Sequence, residues 1–258
     1  MRNTNIDALI YLLAGTVRGW RGTAVTSRAR KSPEKLITLY DMEASPYCRL
    51  VREVLSEMEM DVLVLPCPKG GTRFRPQAKA LLPKVTFPLL VDDNTGDVMI
   101  ESSDIIDHLG RTYDAKVRNS KGAMRGVAVG TSVLSTLLGT RLNGIQGLKA
   151  RPSKAPEQPL ELYSFEASPY SKPVRARLCE LEIPYILRNT PKAAKTDLGP
   201  PFFRDKLFKG PKGTTRHRQY LADTTGMVQV PYLVDPNTGV SMYESAEIVK
   251  YLDKTYGA

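Results

Sequence analysis

Leu39-Tyr40-Asp41-Met42-Glu43-Ala44-Ser45-Pro46-Tyr47-Cys48 returns later in the same chain as Leu162-Tyr163-Ser164-Phe165-Glu166-Ala167-Ser168-Pro169-Tyr170-Ser171. Seven of the ten positions are identical at one offset, the one that carries Tyr40 onto Tyr163. A second block, Phe87-Pro88-Leu89-Leu90-Val91-Asp92-Asp93-Asn94-Thr95-Gly96, matches Val230-Pro231-Tyr232-Leu233-Val234-Asp235-Pro236-Asn237-Thr238-Gly239. Its offset is longer, so the second copy carries extra residues in its middle. The match runs on through Glu101-Ser102 against Glu244-Ser245 and Thr112-Tyr113 against Thr255-Tyr256. A repeat this long marks duplicated domains, since the units of a solenoid are shorter.

Within one copy the pattern alternates between strand and helix. Leu36 to Tyr40 is apolar and β-prone and reads as a strand. After the turn at Ser45-Pro46, Leu50, Val51, Val54, Leu55 and Met58 fall at helical spacing. Proline just inside the start suits a helix N-terminus, where its missing N–H would be unpaired anyway. Val62 to Leu65 is a second strand, and Pro88 to Val91 a third. Asp93-Asn94-Thr95-Gly96 is a hairpin turn and Val98 to Ile100 the fourth strand. Ser102 or Ser103 caps a last helix ending at Tyr113. The order is β-α-β-(α)-β-β-α, and copy two reads the same way.

The chain of 258 residues has room for two small domains, and its 41% hydrophobic and 25% charged content is that of a soluble globular protein. No apolar run approaches the roughly 20 residues that span a bilayer. Cys48, Cys67 and Cys179 are odd in number and match no zinc spacing. A disulfide framework and a metal site are therefore not expected, and a reducing, cytoplasmic location is. The N-terminus has the arginine bias of a transit peptide. However, Leu12-Leu13-Ala14-Gly15-Thr16-Val17-Arg18 resembles Leu137-Leu138-Gly139-Thr140-Arg141, which marks it as the folded lead-in to copy one. The expected organisation is a lead-in helix and linker over 1–35, a first domain over 36–116, a helical linker over 117–159 and a second domain over 160–258.

The element order, the S-P-Y-C at the first helix, the proline opening strand three and the Glu-Ser opening the last helix resemble the glutaredoxins and the N-terminal domain of glutathione S-transferases. The resemblance covers about residues 36–116 and 160–258. It implies an α/β fold of two tandem thioredoxin-like domains, each a four-stranded mixed sheet flanked by helices. The all-helical C-terminal domain of a typical transferase is absent, and a second thioredoxin-like unit takes its place.

The resemblance also assigns roles. Its first motif position holds a nucleophilic cysteine, or a serine in some transferases, at a helix N-terminus that stabilises a thiolate. That position is Ser45 here. Cys48 falls one turn later, where the family places its resolving cysteine, so a two-cysteine cycle cannot run within the motif. Ser45 and Cys48 are the catalytic candidates, and a semi-buried core role for Cys48 stands beside that reading. Copy two has Ser168 and Ser171 and no thiol in its motif. Cys179 reads as a buried small hydrophobe, and Cys67 as a secondary reactive candidate. Pro88 and Pro231 correspond to a proline that is cis in thioredoxin-like folds, leaving the backbone of Phe87 or Val230 to pair with the cysteinyl part of glutathione. Glu101-Ser102 and Glu244-Ser245 correspond to the pair that holds the γ-glutamyl end. Tyr47, Ser168 and Tyr170 complete the implied glutathione contacts.

Net charge is +10. Pro66 to Lys84 holds five basic residues and no acid; Arg188 to Arg218 holds nine and two. Both runs lie between strand two and the strand-three proline, and such charge attracts anions. The implied cofactor and partner is glutathione or another small anionic thiol, with a protein thiol as a further partner. Nucleic acid ranks last, because no recognition motif or aromatic interleaving accompanies the charge. Two functions follow: a glutathione-dependent thiol oxidoreductase or transferase-like protein, and a non-catalytic module that binds glutathione or an anionic peptide.

Overall fold

The computed structural model describes residues 4–118, 122–142, 146–194, 197 and 213–258. Copy one consists of β1 (Ile37–Asp41), α2 (Pro46–Glu57), β2 (Val62–Pro66), α3 (Arg75–Leu81), β3 (Leu89–Asp92), β4 (Asp97–Ile100) and α4 (Ser102–Thr112), preceded by α1 (Thr4–Val17). Copy two consists of β5 (Leu160–Ser164), α6 (Lys172–Glu180), β6 (Tyr185–Asn189), α7 (Arg216–Thr225), β7 (Tyr232–Asp235), β8 (Val240–Met242) and α8 (Ser245–Tyr256), preceded by α5 (Ala123–Leu142). Each expected strand and helix of the repeat is present within a residue or so of its expected bounds. Most of the basic insertion of copy two lies outside the described residues.

The expectation of two separate four-stranded sheets is corrected. The strands form one eight-stranded sheet in the order β4-β3-β1-β2-β6-β5-β7-β8. Within each half, the first two strands are parallel and the remaining pairings antiparallel. The halves join where β2 meets β6 antiparallel, Val62 opposite Leu187 and Val64 opposite Tyr185. Alone, each half would leave this strand as an unpaired edge, a template for association. Edge-to-edge pairing removes both liabilities and makes the strand order palindromic, so the halves are related by a pseudo-two-fold.

Strand alternation divides the side chains between two layers. Ile37 and Leu39 of β1 and Leu160 and Leu162 of β5 enter one continuous core with Val51, Leu55 and Leu109 of copy one and Val174, Leu178 and Leu252 of copy two. The opposite face of copy one holds Tyr40, Leu89 and, from the α3 side, Phe74 and Ala78. In copy two that face is aromatic: Tyr163 stacks on Tyr220 of α7, with ring centroids 5.4 Å apart, and meets Tyr232 and His217.

The Asp-x-Asn turn and the late tyrosine of each copy are a structural lock. Asp92 accepts hydrogen bonds from the Tyr113 hydroxyl at 2.7 Å and Asn94 Nδ2 at 2.8 Å, and its carboxylate lies 2.8 Å from His108 Nε2. Asp235 accepts from the hydroxyls of Tyr251 and Tyr256, both at 2.6 Å, and from Asn237 Nδ2 at 2.8 Å. Each lock pins the β-hairpin to the last helix of its half.

The lead-ins are helical, as the repeat implies, but each reaches into the other half. Ala24, after α1, forms a parallel bridge to Lys192 of copy two, and Lys149, after α5, one to Lys69 of copy one. Two glycines make this exchange possible. Gly22 (φ 78°) and Gly147 (φ 73°) have positive φ, and a Cβ on either would crowd the Cβ of Glu166 or Glu43 respectively, at 2.9 and 3.1 Å. Only glycine supplies both the conformation and the space.

Candidate functional site

The sheet register gathers the expected site residues of each copy at one end of its strands. Tyr40 pairs with Leu89 and Leu89 with Ile100. The β1–α2 turn with Ser45, the Phe87-Pro88 segment and Glu101-Ser102 therefore emerge side by side. Tyr163 and Tyr232 pair at the matching place in copy two. Both Phe87-Pro88 and Val230-Pro231 are cis.

Ser45 is the N-cap of α2: its Oγ accepts from the Cys48 N–H at 3.3 Å. This satisfies one of the unpaired donors of the first turn. Ser168 accepts from the N–H and the hydroxyl of Ser171 at 3.2 and 2.9 Å, but it closes the turn before α6, whose N-cap is Ser171. Both serines are buried, whereas Tyr47 and Tyr170 beside them are 45% and 41% exposed. Phe87 is half-buried, with the Arg75 guanidinium 4.9 Å from its ring centroid, and Val230 is half-buried at the matching position.

Glu101 and Glu244 stand immediately before α4 and α8 with φ of 71° and 69°, and neither side chain caps its helix. An L-residue here is strained by roughly 1–3 kcal/mol, and such strain gathers at ligand sites. Both glutamates are exposed, while the next residues, Ser102 and Ser245, are buried at the helix starts. Arg125 of α5 lies 3.8 Å from Glu101, which brings a cation from the lead-in of copy two to the site of copy one. Sequence reading missed Arg125, since nothing local links it to Glu101.

The thiols are withdrawn. Cys48 has no solvent-exposed surface, and its sulfur accepts a long contact from the Met42 N–H at 3.5 Å. Burial pushes its pKa well above the ordinary thiol value, and the charge of Asp41 adds to the rise. Burial also raises Cys67 and Cys179. The thiolate is the nucleophile, so a buried thiol of raised pKa is a poor one. All three cysteines are free. Among the described residues no cluster of three or more His, Cys, Asp or Glu is arranged to hold a metal.

One cavity borders these elements and another lies apart from them. A small one of about 10 Å³ lies between Tyr11, Ala14 and Gly15 of α1 and Ala167, Ser168 and Pro169 of the second motif, with Arg49, Glu166 and Lys172 completing its wall. It has room for about one water molecule. The lead-in of copy one thus lies over the motif of copy two. A reciprocal contact runs from Ser132 of α5 to the Pro46 carbonyl, at 2.8 Å. An open groove of about 360 Å³, lined by Lys31, Lys35, Asn94 and Tyr113 among others, shares no residue with the expected glutathione contacts.

The glutamate shared by both motifs belongs to a buried ion network on the pseudo-two-fold. Arg52, fully buried, contacts both oxygens of Asp41 at 2.7 Å, Glu166 Oε2 at 2.9 Å and Glu43 Oε2 at 3.4 Å. Arg175, its counterpart, lies 3.2 Å from Glu43 Oε2 and 3.2 Å from Glu166 Oε2. Each arginine thus touches the motif glutamate of both halves. Burial opposes ionisation of Glu166, yet Arg175, Arg52, Lys172 and Arg49 together hold its carboxyl below the usual range. Arg18 and Arg21 extend the network, pairing with Glu53 at 2.5 Å and Glu57 at 2.8 Å.

Two thioredoxin-like units sharing one sheet, each with a cis-proline and a Glu-Ser helix start at the same end, define the class. Residues 39–117 and 162–258 both match the family described as glutathione S-transferase, N-terminal domain, and the chain belongs to that family. No curated protein and no solved structure matches it.

Proposed function

We propose that this chain binds glutathione, or another small anionic thiol peptide, through the peptide-recognising groups of its two sites without using its own cysteines. One observation carries the reading. Both halves hold an exposed glutamate in a strained backbone conformation at a helix start it does not cap. A glycine there would relieve the strain, so the side chain is retained for something other than folding. An acid at a helix N-terminus suits a ligand bearing an ammonium and a carboxylate together, as a γ-glutamyl group does. Tyr47 and Phe87 in copy one, and Tyr170 and Val230 in copy two, border the same site. The thiol-exchange reading loses support from the burial of Cys48, which leaves no accessible sulfur beside Ser45. Three free cysteines fit a reducing, cytoplasmic setting.

Titration calorimetry tests this with reduced glutathione and with S-methylglutathione, whose sulfur is blocked. Both ligands are expected to bind at two sites with similar affinity. Glu101→Ala and Glu244→Ala should each remove one site, because losing a charged hydrogen bond costs about 1.5–3 kcal/mol. No heat from either ligand, or binding of glutathione but not its S-methyl form, overturns the proposal.

A further inference from the structure

Helix α5 is inside out. Its protein-facing side is mainly hydroxylic: Ser132, Ser135 and Thr136 are buried, with Val129 packed against the main core. Ser132 donates to the Pro46 carbonyl, Ser135 donates to the Ala14 carbonyl, and the Arg49 guanidinium donates to Ser135 Oγ at 2.5 Å. Its outward side is aliphatic. Met124, Val127, Leu134 and Leu137 are exposed, Met124 by 65% and Leu134 by 51%. A Cβ at Gly130, between them on the same side, would meet open space. Leu13 of the adjoining α1 and Trp20 just after it are exposed as well. More than half of the large apolar residues exposed in the described structure thus lie in this helix pair and its end. A water-facing helix has the reverse polarity, and exposed apolar patches of this kind mark interaction surfaces.

The surrounding charge says what the surface meets. Between Asp114 and Glu157 the sequence has eight basic residues and no acid. Of the five basic residues between Asp7 and Glu34, four are already paired, Arg18 with Glu53, Arg21 with Glu57, Arg28 with Glu59 and Arg30 with Asp114, so the free charge lies on the α5 side. Lys116 and Arg118, leading into α5, are exposed. A second copy of a chain with net charge +10 would bring these like charges together. An anionic bilayer is complementary both to the aliphatic side and to its basic flanks. Among the described residues no helix is long and apolar enough to cross a membrane, so the fitting arrangement is α5 lying in the plane of the interface. We propose that the α1–α5 face docks this protein on anionic lipid surfaces.

Sedimentation of the full chain with vesicles of phosphatidylcholine, alone or mixed with phosphatidylglycerol, tests the proposal, with Trp20 emission as a second readout. The chain is expected to partition onto the anionic vesicles at least about tenfold more strongly than onto neutral ones, with a blue shift of Trp20. Leu134→Glu should lower that partition about tenfold or more. Its far-UV circular dichroism should match the parent, because Leu134 faces outward. Lys116→Gln with Arg118→Gln should weaken anionic binding alone. No binding to either vesicle, equal binding to both, or a dimer in light scattering that Leu134→Glu dissociates would overturn it, the last assigning the face to a second copy. Glutathione enters none of these measurements, so they stand apart from the peptide-binding reading.

Discussion

Arg52→Met should destabilise the junction between the halves by as much as a large core truncation does. Arg52 faces three buried carboxylates: Asp41, Glu43 and Glu166. Arg175 remains beside Glu43 and Glu166 in the variant, so those two keep a cation. Asp41 loses its guanidinium partner and stays buried. Removing one member of a buried ion pair costs about 3–5 kcal/mol, mostly from the charge left uncompensated. A domain has only about 5–15 kcal/mol in total. Urea unfolding followed by circular dichroism should therefore show the midpoint falling by about 1 M or more.

The pH dependence gives this a second readout. Burial already raises the Asp41 pKa against the pull of Arg52, and the variant removes that pull. With a folded pKa above the unfolded one, Asp41 penalises folding at neutral pH, and the penalty fades as the pH falls towards the unfolded value near 3.9. The parent carries a smaller Asp41 penalty of the same sign, and loses the Glu166 contribution only as the pH falls from the unfolded carboxylate range through its depressed folded pKa. The gap between parent and variant should narrow from pH 7 to about pH 4. Arg30→Ala, which breaks an exposed pair with Asp114, is the control and should change stability by less than about 1 kcal/mol. A loss below about 1 kcal/mol for Arg52→Met, or a gap that ignores pH, would refute the reasoning.

Lys172 is pushed down to about 8 by burial and then by the Arg49 charge. Between pH 8 and its ordinary value near 10.5 the unfolded state binds the extra proton, so this group makes stability rise with pH there. Lys172→Met should lose that part of the rise in urea melts compared across the window. Tyr113→Phe and Tyr256→Phe each remove a hydroxyl donor to a buried aspartate and should cost about 1.5–3 kcal/mol in thermal or urea unfolding. Glu101→Gly should stabilise the chain by about 1 kcal/mol by relieving a positive φ, while calorimetry shows one glutathione site lost.

The duplication was legible because the motifs serve local geometry. Ser45 caps the first turn of α2, Ser168 closes the turn before α6, and Asn94 and Asn237 close hairpins within a few residues of Asp92 and Asp235, so their signals are short-range. The joined sheet was not legible. Val62-Leu63-Val64 and Tyr185-Ile186-Leu187 read as ordinary strands, and nothing in either names its partner across the pseudo-two-fold. The exchange of lead-ins was hidden for the same reason, although Gly22 and Gly147 at comparable places in the two linkers carried a trace of it. Glu43 and Glu166 were visible as identities of the repeat, with Arg52 and Arg175 at the same offset in the following helices. Their meaning required knowing that the two copies face each other. For Cys48, spacing gave its position one turn into α2 but not its burial, which depends on how the core closes around it.

Peptide mass mapping after incubation with oxidised glutathione tests the central claim, that this glutathione S-transferase N-terminal-type pair keeps its thiols out of the chemistry. The native chain is expected to remain unmodified at Cys48, Cys67 and Cys179, while the same chain in urea at alkaline pH takes up glutathione at all three. A glutathionylated Cys48 in the native protein would contradict the account and return the first site to thiol exchange.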